Sequence, residues 1–537
     1  MDYSISCRLL TIRQRAVNIP VAEASAARYD ILRAVDAPPA ARSRREQRDG
    51  PSKRPHKRGR GVARSNMGIV QTFGNWVAKE TEKNPERARK LLILGYNAQE
   101  LKLSVAPNKN LPKCRQYVSA ACMKVVLNGL SHPEQAVAMS LFTPTEPLQA
   151  AGLYPYSVET ISAYITGTKC EQAFLEHARQ AGVADTECSY HRVFMGTLES
   201  GLVPLPKLEV YTNLACDGNL ITFPHIHEKY GVPAFMIDVP YEKSEEAVAD
   251  VARQLREMTV FVEDTAGRAV DEAELREYMV REKKAGELTR HALFSGAHKR
   301  LPADMSTEMF PALINHVVPG SEECLRYAEL LDEDMAAAPE SDGIRLVWMH
   351  LIPNMQPAVN KVMSFTDRVH FTYVDVANDT FLQPIDPDKP YESMARRMVY
   401  SPYNGAVAGR VQQALDAAEA TDADGVVLFT QWGCKGTIGA APLIKKRLEA
   451  AGYPCLILDG DGCDQTNASD GQTATRLNAF LEMLEARREL EEAEEELAEA
   501  EAEVAEAVEA EATDAVARQP AAEAATTHAQ AEGGSDA

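Results

Sequence analysis

The spacing of apolar residues divides the chain into a helical part and a part in which strands alternate with helices. Between residues 67 and 150, segments such as WVAKETEKNPERARKLLILGYNA place apolar residues at helical spacing, which predicts helices. From residue 151 to about residue 485, short apolar runs that are typical of buried strands alternate with helical patterns. Because strands joined through single helices form parallel sheets, the pattern predicts an α/β fold.

An approximate internal repeat indicates two such sheets. Residues 208–240 and residues 425–461 each read as a buried strand, a cysteine with a following glycine, a helix that ends in glycine, a proline, and a second strand that ends at aspartate. Residues 344–376 fit a further copy without cysteine. We therefore predict a helical N-terminal region followed by two Rossmann-like parallel-sheet domains, at residues 151–340 and 341–485.

The two ends of the chain differ from this body in composition. Residues 1–66 hold 15 Lys or Arg against 6 Asp or Glu, whereas residues 486–537 are rich in alanine and glutamate. Neither end can bury enough apolar surface to offset its ordering entropy, so we expect poor order in both, with at most a solvated helix in the acidic tail. The basic extension is typical of a disordered arm. Alternatively, the true start is Met67 and the start codon has been assigned too far upstream.

Composition and charge exclude several functional classes. No stretch of the 537 residues approaches the roughly 18–20 continuous apolar residues of a membrane helix, and no secretory signal opens the chain. We therefore expect a cytoplasmic protein with reduced thiols and no membrane contact. Without its basic start and its acidic tail, the body of the chain still carries a net charge of −15, which disfavours nucleic acid as the main partner. The sequence contains no Walker-type phosphate loop and no Cys-x-x-Cys pair.

Three of the ten cysteines occupy positions where chemistry is expected. Cys216 and Cys434 directly follow predicted strands and precede helices, and Cys188 precedes another helix. Ligands bind at the carboxyl ends of strands in open α/β sheets, and helix N-termini lower the pKa of a thiol. Cys463, at the end of a further strand, is the main competitor for a ligand role. From the residues alone, a ligand role and a structural role stay equally open, because a lone cysteine is usually a small buried hydrophobe.

Several segments resemble the D-component family of the 2-hydroxyacyl-CoA dehydratases, which also includes benzoyl-CoA reductase subunits and double-cubane cluster proteins. The resemblance covers roughly residues 110–484, and its three cysteine motifs stand in family order. These motifs are ECSYHR, TNLACDG and LFTQWGCKGTIGAAPLIKKRLEAAGYPCLILDGD. The segment FTPTEPLQAAGLYPY is similar to the family's segment near the acyl-CoA site.

The resemblance implies a [4Fe–4S] cluster that is held by Cys188, Cys216 and Cys434 in the cleft between the two sheet domains. It implies dehydration of a (R)-2-hydroxyacyl-CoA to the enoyl-CoA through a ketyl radical, after ATP-driven one-electron activation. The implied partners are the acyl-CoA substrate, a related sister subunit in a heterodimer, and a separate ATP-dependent iron–sulfur activator protein. Three cysteine ligands would leave one iron open as a Lewis acid.

The segment near the acyl-CoA site carries three polar residues that the resemblance assigns to the substrate side. These residues are Thr143, Thr145 and Glu146. The residues alone equally predict a helix N-cap with an acidic first turn.

Two alternative functions stay open. One is a subunit of a benzoyl-CoA reductase-like or double-cubane reductase. A double-cubane protein would need more than three cysteine ligands, and Cys463 and Cys170 are the spare candidates. The other is a non-catalytic electron-relay companion subunit. A fourth ligand from Cys463 would close the open iron and favour the relay.

Overall fold

The computed structural model describes residues 61–517. The predictions for residues 1–60 and 518–537 lie outside the described residues. Among the described residues the first helix begins at Gly61, five residues before the predicted end of the basic extension at residue 66. The acidic tail is helical as far as Ala517, and its residues 489–510 are all exposed, as a solvated helix would be.

The described residues form nineteen α-helices and eight strands. The helices before the second sheet are α1 Gly61–Thr81, α2 Pro85–Val105, α3 Lys113–Ser131, α4 Glu146–Ala150, α5 Val158–Gly167, α6 Glu171–Gln180, α7 Ser189–Glu199, α8 Asn219–Tyr230, α9 Glu245–Ala266, α10 Glu272–Ser295, α11 Met305–Val317 and α12 Glu322–Ala337. The later helices are α13 Pro357–Met363, α14 Asp375–Asn378, α15 Pro390–Val399, α16 Ala408–Ala420, α17 Lys435–Ile438, α18 Ala441–Ala450 and α19 Asp470–Ala517. The strands are β1 Ala136–Met139, β2 Tyr154–Ser157, β3 Leu208–Thr212, β4 Ala234–Ile237, β5 Ile344–Met349, β6 Val369–Val374, β7 Gly425–Gln431 and β8 Cys455–Gly460.

Two four-stranded parallel sheets organise these elements, with the strand orders β2-β1-β3-β4 and β6-β5-β7-β8. The two sheets have the same topology, with β5 to β8 in the places of β1 to β4. This confirms the predicted fold class. The repeat segments 208–240 and 425–461 form β3–β4 and β7–β8, at corresponding places in the two sheets. Residues 344–376 form β5 and β6, which correspond to β1 and β2 rather than to a further sheet.

The first sheet begins earlier than the sequence predicted. Strands β1 and β2 lie on either side of residue 150, and β1 falls inside the segment that we predicted as helical. The prediction was wrong there because β1 is a run of only four residues, AVAM, all of them buried. Apolar runs this short cannot be told from buried helix by periodicity.

Packing joins the two sheets through a shared apolar core. Phe194 on α7, Trp348 on β5 and Phe429 on β7 are all fully buried members of one hydrophobic cluster. Helix α19 adds Leu477 and Leu481 to the same cluster before it leaves the core. Within the part of the chain that the structure describes, no helix is long and apolar enough to cross a membrane.

Candidate functional site

The three cysteines of the predicted motifs line one cavity. Cys188, Cys216 and Cys434 all contribute to the wall of a cavity of about 390 Å³. Each of the three thiols is half-buried and free of a disulfide bond. The carboxyl ends of β3 and β7 and the start of α7 therefore meet at this cavity.

Strand and helix ends position each thiol. Cys216 lies in the loop between β3 and α8, and Ala215 before it adopts a left-handed φ of 68°. Cys434 is the residue before α17 and lies three residues after the end of β7, and Cys188 is the residue before α7. These are the strand-end and helix-start positions that the sequence pattern indicated.

Two glycines let the cysteine loops pack closely against each other. Gly433 has a φ of +79°, and a Cβ atom there would lie 2.6 Å from the backbone nitrogen of Cys188. A Cβ atom on Gly218 would lie 2.7 Å from the His191 ring. Only glycine fits such contacts without a shift of its neighbours, so these two positions fix how the three loops meet.

Burial has a stronger effect on two of the thiols than the adjacent helix starts. Burial, together with the neighbouring cysteines, raises the pKa of Cys188 well above its usual range. Burial and the nearby Glu159 raise the pKa of Cys216 in the same way, although backbone N–H groups of Gly218 and Asn219 oppose the effect. The expected lowering of these two pKa values was therefore wrong for the free thiols. A coordinated metal would change this, because metal binding deprotonates a thiol outright.

Two histidines face the thiols, and sequence reasoning assigned neither of them a role. His191 Nε2 lies 3.1 Å from Cys216 Sγ, and His350 Nε2 lies 3.4 Å from Cys434 Sγ. Burial lowers the pKa of His191 to about 4 and, together with Arg410, that of His350 to about 3. Both rings are therefore neutral near pH 7 and carry one N–H each.

Cys463 takes a different position from the other three cysteines. It is fully buried and is not among the described residues that line the cavity. Its thiol contacts Thr166 and Ser189, and its backbone N–H donates to Asp461 at 2.9 Å. The structure therefore places it beside the start of α7 and off the cavity wall.

The predicted substrate-side residues are engaged within the protein. Thr143 Oγ1 lies 2.8 Å from Ser140 Oγ, and Thr145 Oγ1 donates to the carbonyl oxygen of Val317 at 3.0 Å. Glu146 is fully buried and accepts from Arg397 at 2.7 Å. None of the three is among the described residues that line the cavity. Glu146 does begin α4, as the alternative prediction of an acidic first turn required.

Glu159 is the acidic residue of the cavity wall, and sequence reasoning missed it. It lies in the first turn of α5 and is 9% exposed. Its Oε2 atom has no hydrogen-bond partner among the described residues. Burial raises its pKa above the usual carboxyl value. A single glutamate after YPYS carries no signal beyond that of a helix start, which is why the sequence did not point to it.

The rest of the wall combines aromatic and apolar side chains with a few polar ones, namely Arg410, Gln431, Lys435 and Thr437. The ring centroids of Phe142 and Tyr403 lie 5.0 Å apart, and Leu351 also lines the cavity. Arg410 lies over the Tyr403 ring at 4.6 Å and donates to the carboxylate of Asp375 at 3.0 Å. Its Nε–H has no partner among the described residues. The cavity can therefore bind an apolar group next to a small number of polar contacts.

The thiols surround the cavity without converging on a point. Within residues 61–517, no group of three or more His, Cys, Asp or Glu is close enough to hold a single metal ion. An iron–sulfur cluster instead binds each cysteine thiolate at its own iron, so it accepts more widely spaced thiols.

Known proteins resemble the chain across this whole site. A family model described as 2-hydroxyglutaryl-CoA dehydratase, D-component, matches residues 140–484. The (R)-phenyllactyl-CoA dehydratase alpha subunit of Clostridium sporogenes is 22% identical over 373 residues, which cover 64% of this chain and 88% of that protein. The lactoyl-CoA dehydratase subunit alpha of Anaerotignum propionicum is 25% identical over 400 residues, which cover 67% of this chain and 90% of that protein.

Proposed function

The chain belongs to the 2-hydroxyglutaryl-CoA dehydratase D-component family, and on this premise we propose that it is the iron–sulfur subunit of a 2-hydroxyacyl-CoA dehydratase. The observation that carries the proposal is the meeting of Cys188, Cys216 and Cys434 at one cavity. The reaction is the removal of water from a 2-hydroxyacyl-CoA to give the enoyl-CoA. Both named relatives are dehydratase subunits, which supports the hydro-lyase class.

The donor set supports a [4Fe–4S] cluster as the cofactor. Thiolates are the usual ligands of such clusters, and backbone N–H groups commonly hydrogen-bond their sulfur atoms. The backbone N–H groups of Gly218 and Asn219 already hydrogen-bond the Cys216 thiol. Cys188, Cys216 and Cys434 would hold three irons, and Cys463 would not take part because it lies off the cavity wall.

The chain's own residues would bind the substrate and move a proton. When bound, the cluster would supply one electron at low potential and an open, Lewis-acidic iron. During dehydration the C2–O bond breaks, a proton leaves C3, and the hydroxyl departs as water. Phe142, Leu351 and Tyr403 would pack against the acyl chain and exclude bulk water from this step.

Glu159 is the proposed proton-transfer group of the site. Its unpartnered Oε2 atom belongs to a side chain of the cavity wall, and its raised pKa lets it carry a proton for the departing hydroxyl. Glu159→Gln should retain iron and lose turnover by about 100- to 10,000-fold, the usual contribution of such a group. Glu171→Gln is the matched control, because Glu171 also has a buried, unpartnered Oε2 atom and a raised pKa but does not line the cavity. Equal turnover in the two variants would remove Glu159 from the mechanism.

Exposed apolar side chains next to the cysteine loops support a protein partner. Trp432 and Ile438 flank Cys434, Leu220 and Ile221 follow Cys216, and all four are 44–45% exposed. We propose that a sister subunit and an ATP-dependent iron–sulfur activator dock at this edge. The purified chain should then be inactive with substrate and reduced ferredoxin, and should turn over only with both partners and Mg-ATP.

Cysteine substitution tests the cluster directly. Cys216→Ser and Cys434→Ser should each lose most of the cluster absorbance in anaerobically purified protein. Cys114→Ser and Cys324→Ser are matched controls, because both residues are buried within helices and do not line the cavity. These two variants should keep the cluster absorbance. Equal iron content in all four variants would contradict the assignment.

The iron content of the unsubstituted chain separates the candidate functions. About four irons per chain would support the single cubane cluster of a dehydratase. About twice that number would favour a double-cubane reductase. An iron-free protein after anaerobic purification would exclude both.

A further inference from the structure

Two of the three thiols face the Nε2 atom of a buried histidine. His191 approaches Cys216 at 3.1 Å, and His350 approaches Cys434 at 3.4 Å. The two histidines come from different kinds of element, since His191 lies within α7 and His350 follows the end of β5. The sheet repeat therefore does not explain why both thiols have the same neighbour.

The backbone fixes both the position and the tautomer of His350. Its φ of 78° lies in the left-handed region, which a non-glycine residue adopts only where its surroundings impose it. Its backbone N–H donates to Asp375 Oδ1 at 2.6 Å, and Arg410 holds the other oxygen of that carboxylate at 3.0 Å. The backbone N–H of Leu351 donates to His350 Nδ1 at 2.6 Å. Because Nδ1 accepts, the ring proton is on Nε2, the atom that faces Cys434.

Packing and one hydroxyl hold His191 in the equivalent orientation. The ring is buried on α7, and Gly218 passes so close that a Cβ atom there would lie 2.7 Å from it. His191 Nδ1 lies 2.8 Å from Thr222 Oγ1. When the Thr222 hydroxyl donates to Nδ1, Nε2 carries the proton and faces Cys216.

We propose that His191 and His350 are positioning residues that donate hydrogen bonds to the thiolates of Cys216 and Cys434. These hydrogen bonds raise the reduction potential of the cluster, and the proposal therefore rests on the proposed function. A cluster gains negative charge when it is reduced, and N–H donors to its sulfur ligands stabilise that charge. With these two N–H groups the cluster would accept one electron at a less negative potential than it would in the same buried cavity without them. Neither histidine is a ligand in this scheme.

Substitutions test the effect on the potential. His350→Leu and His191→Leu remove the donor and should shift the reduction potential to more negative values in an EPR-monitored titration of the full chain. His350→Gln and His191→Gln keep an N–H donor near the Nε2 position and should restore most of the shift. His132→Leu, which replaces a half-exposed histidine that does not line the cavity, should leave the potential unchanged. Equal potentials in the wild type and both Leu variants at equal iron content would overturn the proposal.

A measurement on the unsubstituted protein covers the case in which a Leu variant fails to fold. Protein labelled with ¹⁵N-histidine should show, in pulsed EPR of the reduced cluster, a nitrogen coupling that is too weak for direct ligation. No coupling, or a coupling of the strength of an iron-bound imidazole, would each overturn the proposal. If the wild type holds no iron, the proposed function itself has failed, so the two failures are distinguishable.

Discussion

Gly433 lies where the loop that carries Cys434 passes against the backbone of Cys188. An added Cβ atom would lie 2.6 Å from the nitrogen and 2.7 Å from the Cα atom of Cys188. Real Cβ atoms do not approach backbone atoms so closely, so Gly433→Ala must move one cysteine loop away from the other. We expect this single methyl group to damage the site more than its size suggests.

Two costs add in this substitution. The left-handed φ of +79° costs an alanine roughly 1–2 kcal/mol. The overlap with rigid backbone adds about 1–3 kcal/mol, the usual range for overpacking. Gly231→Ala is the matched control, because its φ of +71° is similar and no atom lies within 4 Å of the added Cβ. The control should lose only the first of the two amounts.

Two measurements on each variant check the reasoning. Urea unfolding of the iron-free protein, followed by circular dichroism, should give a lower free energy of unfolding for Gly433→Ala than for Gly231→Ala by about 1–3 kcal/mol. Iron quantitation after anaerobic purification should show a full complement in Gly231→Ala and a reduced one in Gly433→Ala. Equal stability and equal iron in the two variants would refute the idea that backbone contact between the loops sets the spacing of the thiols.

Three further outcomes follow from the buried charges and from the proposed reaction. Arg397 pairs with two fully buried glutamates, so Arg397→Met should destabilise the fold by roughly 3–5 kcal/mol. Arg276→Met breaks an exposed pair and should cost less than about 1 kcal/mol. Thermal unfolding of the two variants measures the difference. Burial raises the pKa of Glu209 to about 9, whereas the value in the unfolded chain is near 4.5. Between these two pH values the Glu209 carboxyl ionises only in the unfolded chain. The free energy of unfolding should therefore fall as the pH rises, by at most about 1.4 kcal/mol per pH unit. Glu209→Gln should remove this slope, and an unchanged slope would contradict the raised pKa. For the assembled enzyme, ATP hydrolysed per product should approach zero after activation, because dehydration returns the electron, whereas a fixed stoichiometric ratio would indicate a reductase.

Local patterns were enough to single out Cys216 and Cys434 as candidate ligands, while the full set of three came from the family resemblance. Cys216 and Cys434 lie four and three residues after the ends of buried strands, and the residues around them show the alternation of strands and helices. The structure confirms that both lie at the carboxyl ends of their strands, on one cavity. Information of this kind lies within a few residues of the site, so periodicity and turn residues can reveal it.

The other groups of the cavity could not be found in this way. His350 and Arg410 reach the cavity from elements far from the cysteine motifs in the chain, and Glu159 lies in an ordinary helix start. A lone histidine, arginine or glutamate has the same local signal whether it faces a cavity or a core. The packing of the two sheets determines whether such a side chain faces the cavity or the core, and packing depends on the whole chain.

One buried carboxylate explains how two cysteines from different parts of the chain hold their spacing. Asp461, in the loop after β8, accepts through Oδ1 from the Ser189 hydroxyl, from Gln431 Nε2 at 2.9 Å and from the backbone N–H of Cys463 at 2.9 Å. Ser189 follows Cys188 directly, and Gln431 is the last residue of β7, three residues before Cys434. The start of α7 and the end of β7 are therefore tied to the same oxygen atom.

The same contact gives Cys463 a structural role. Its N–H completes the donor set of Asp461, and its thiol fills the space between Thr166 and Ser189. A fully satisfied buried carboxylate of this kind holds its donors rigidly, whereas a partly satisfied one would not. The cavity is thus preorganised in part by Asp461 and Ser189, which do not line it. Such support would let a bound cluster change its charge without a rearrangement of its ligands.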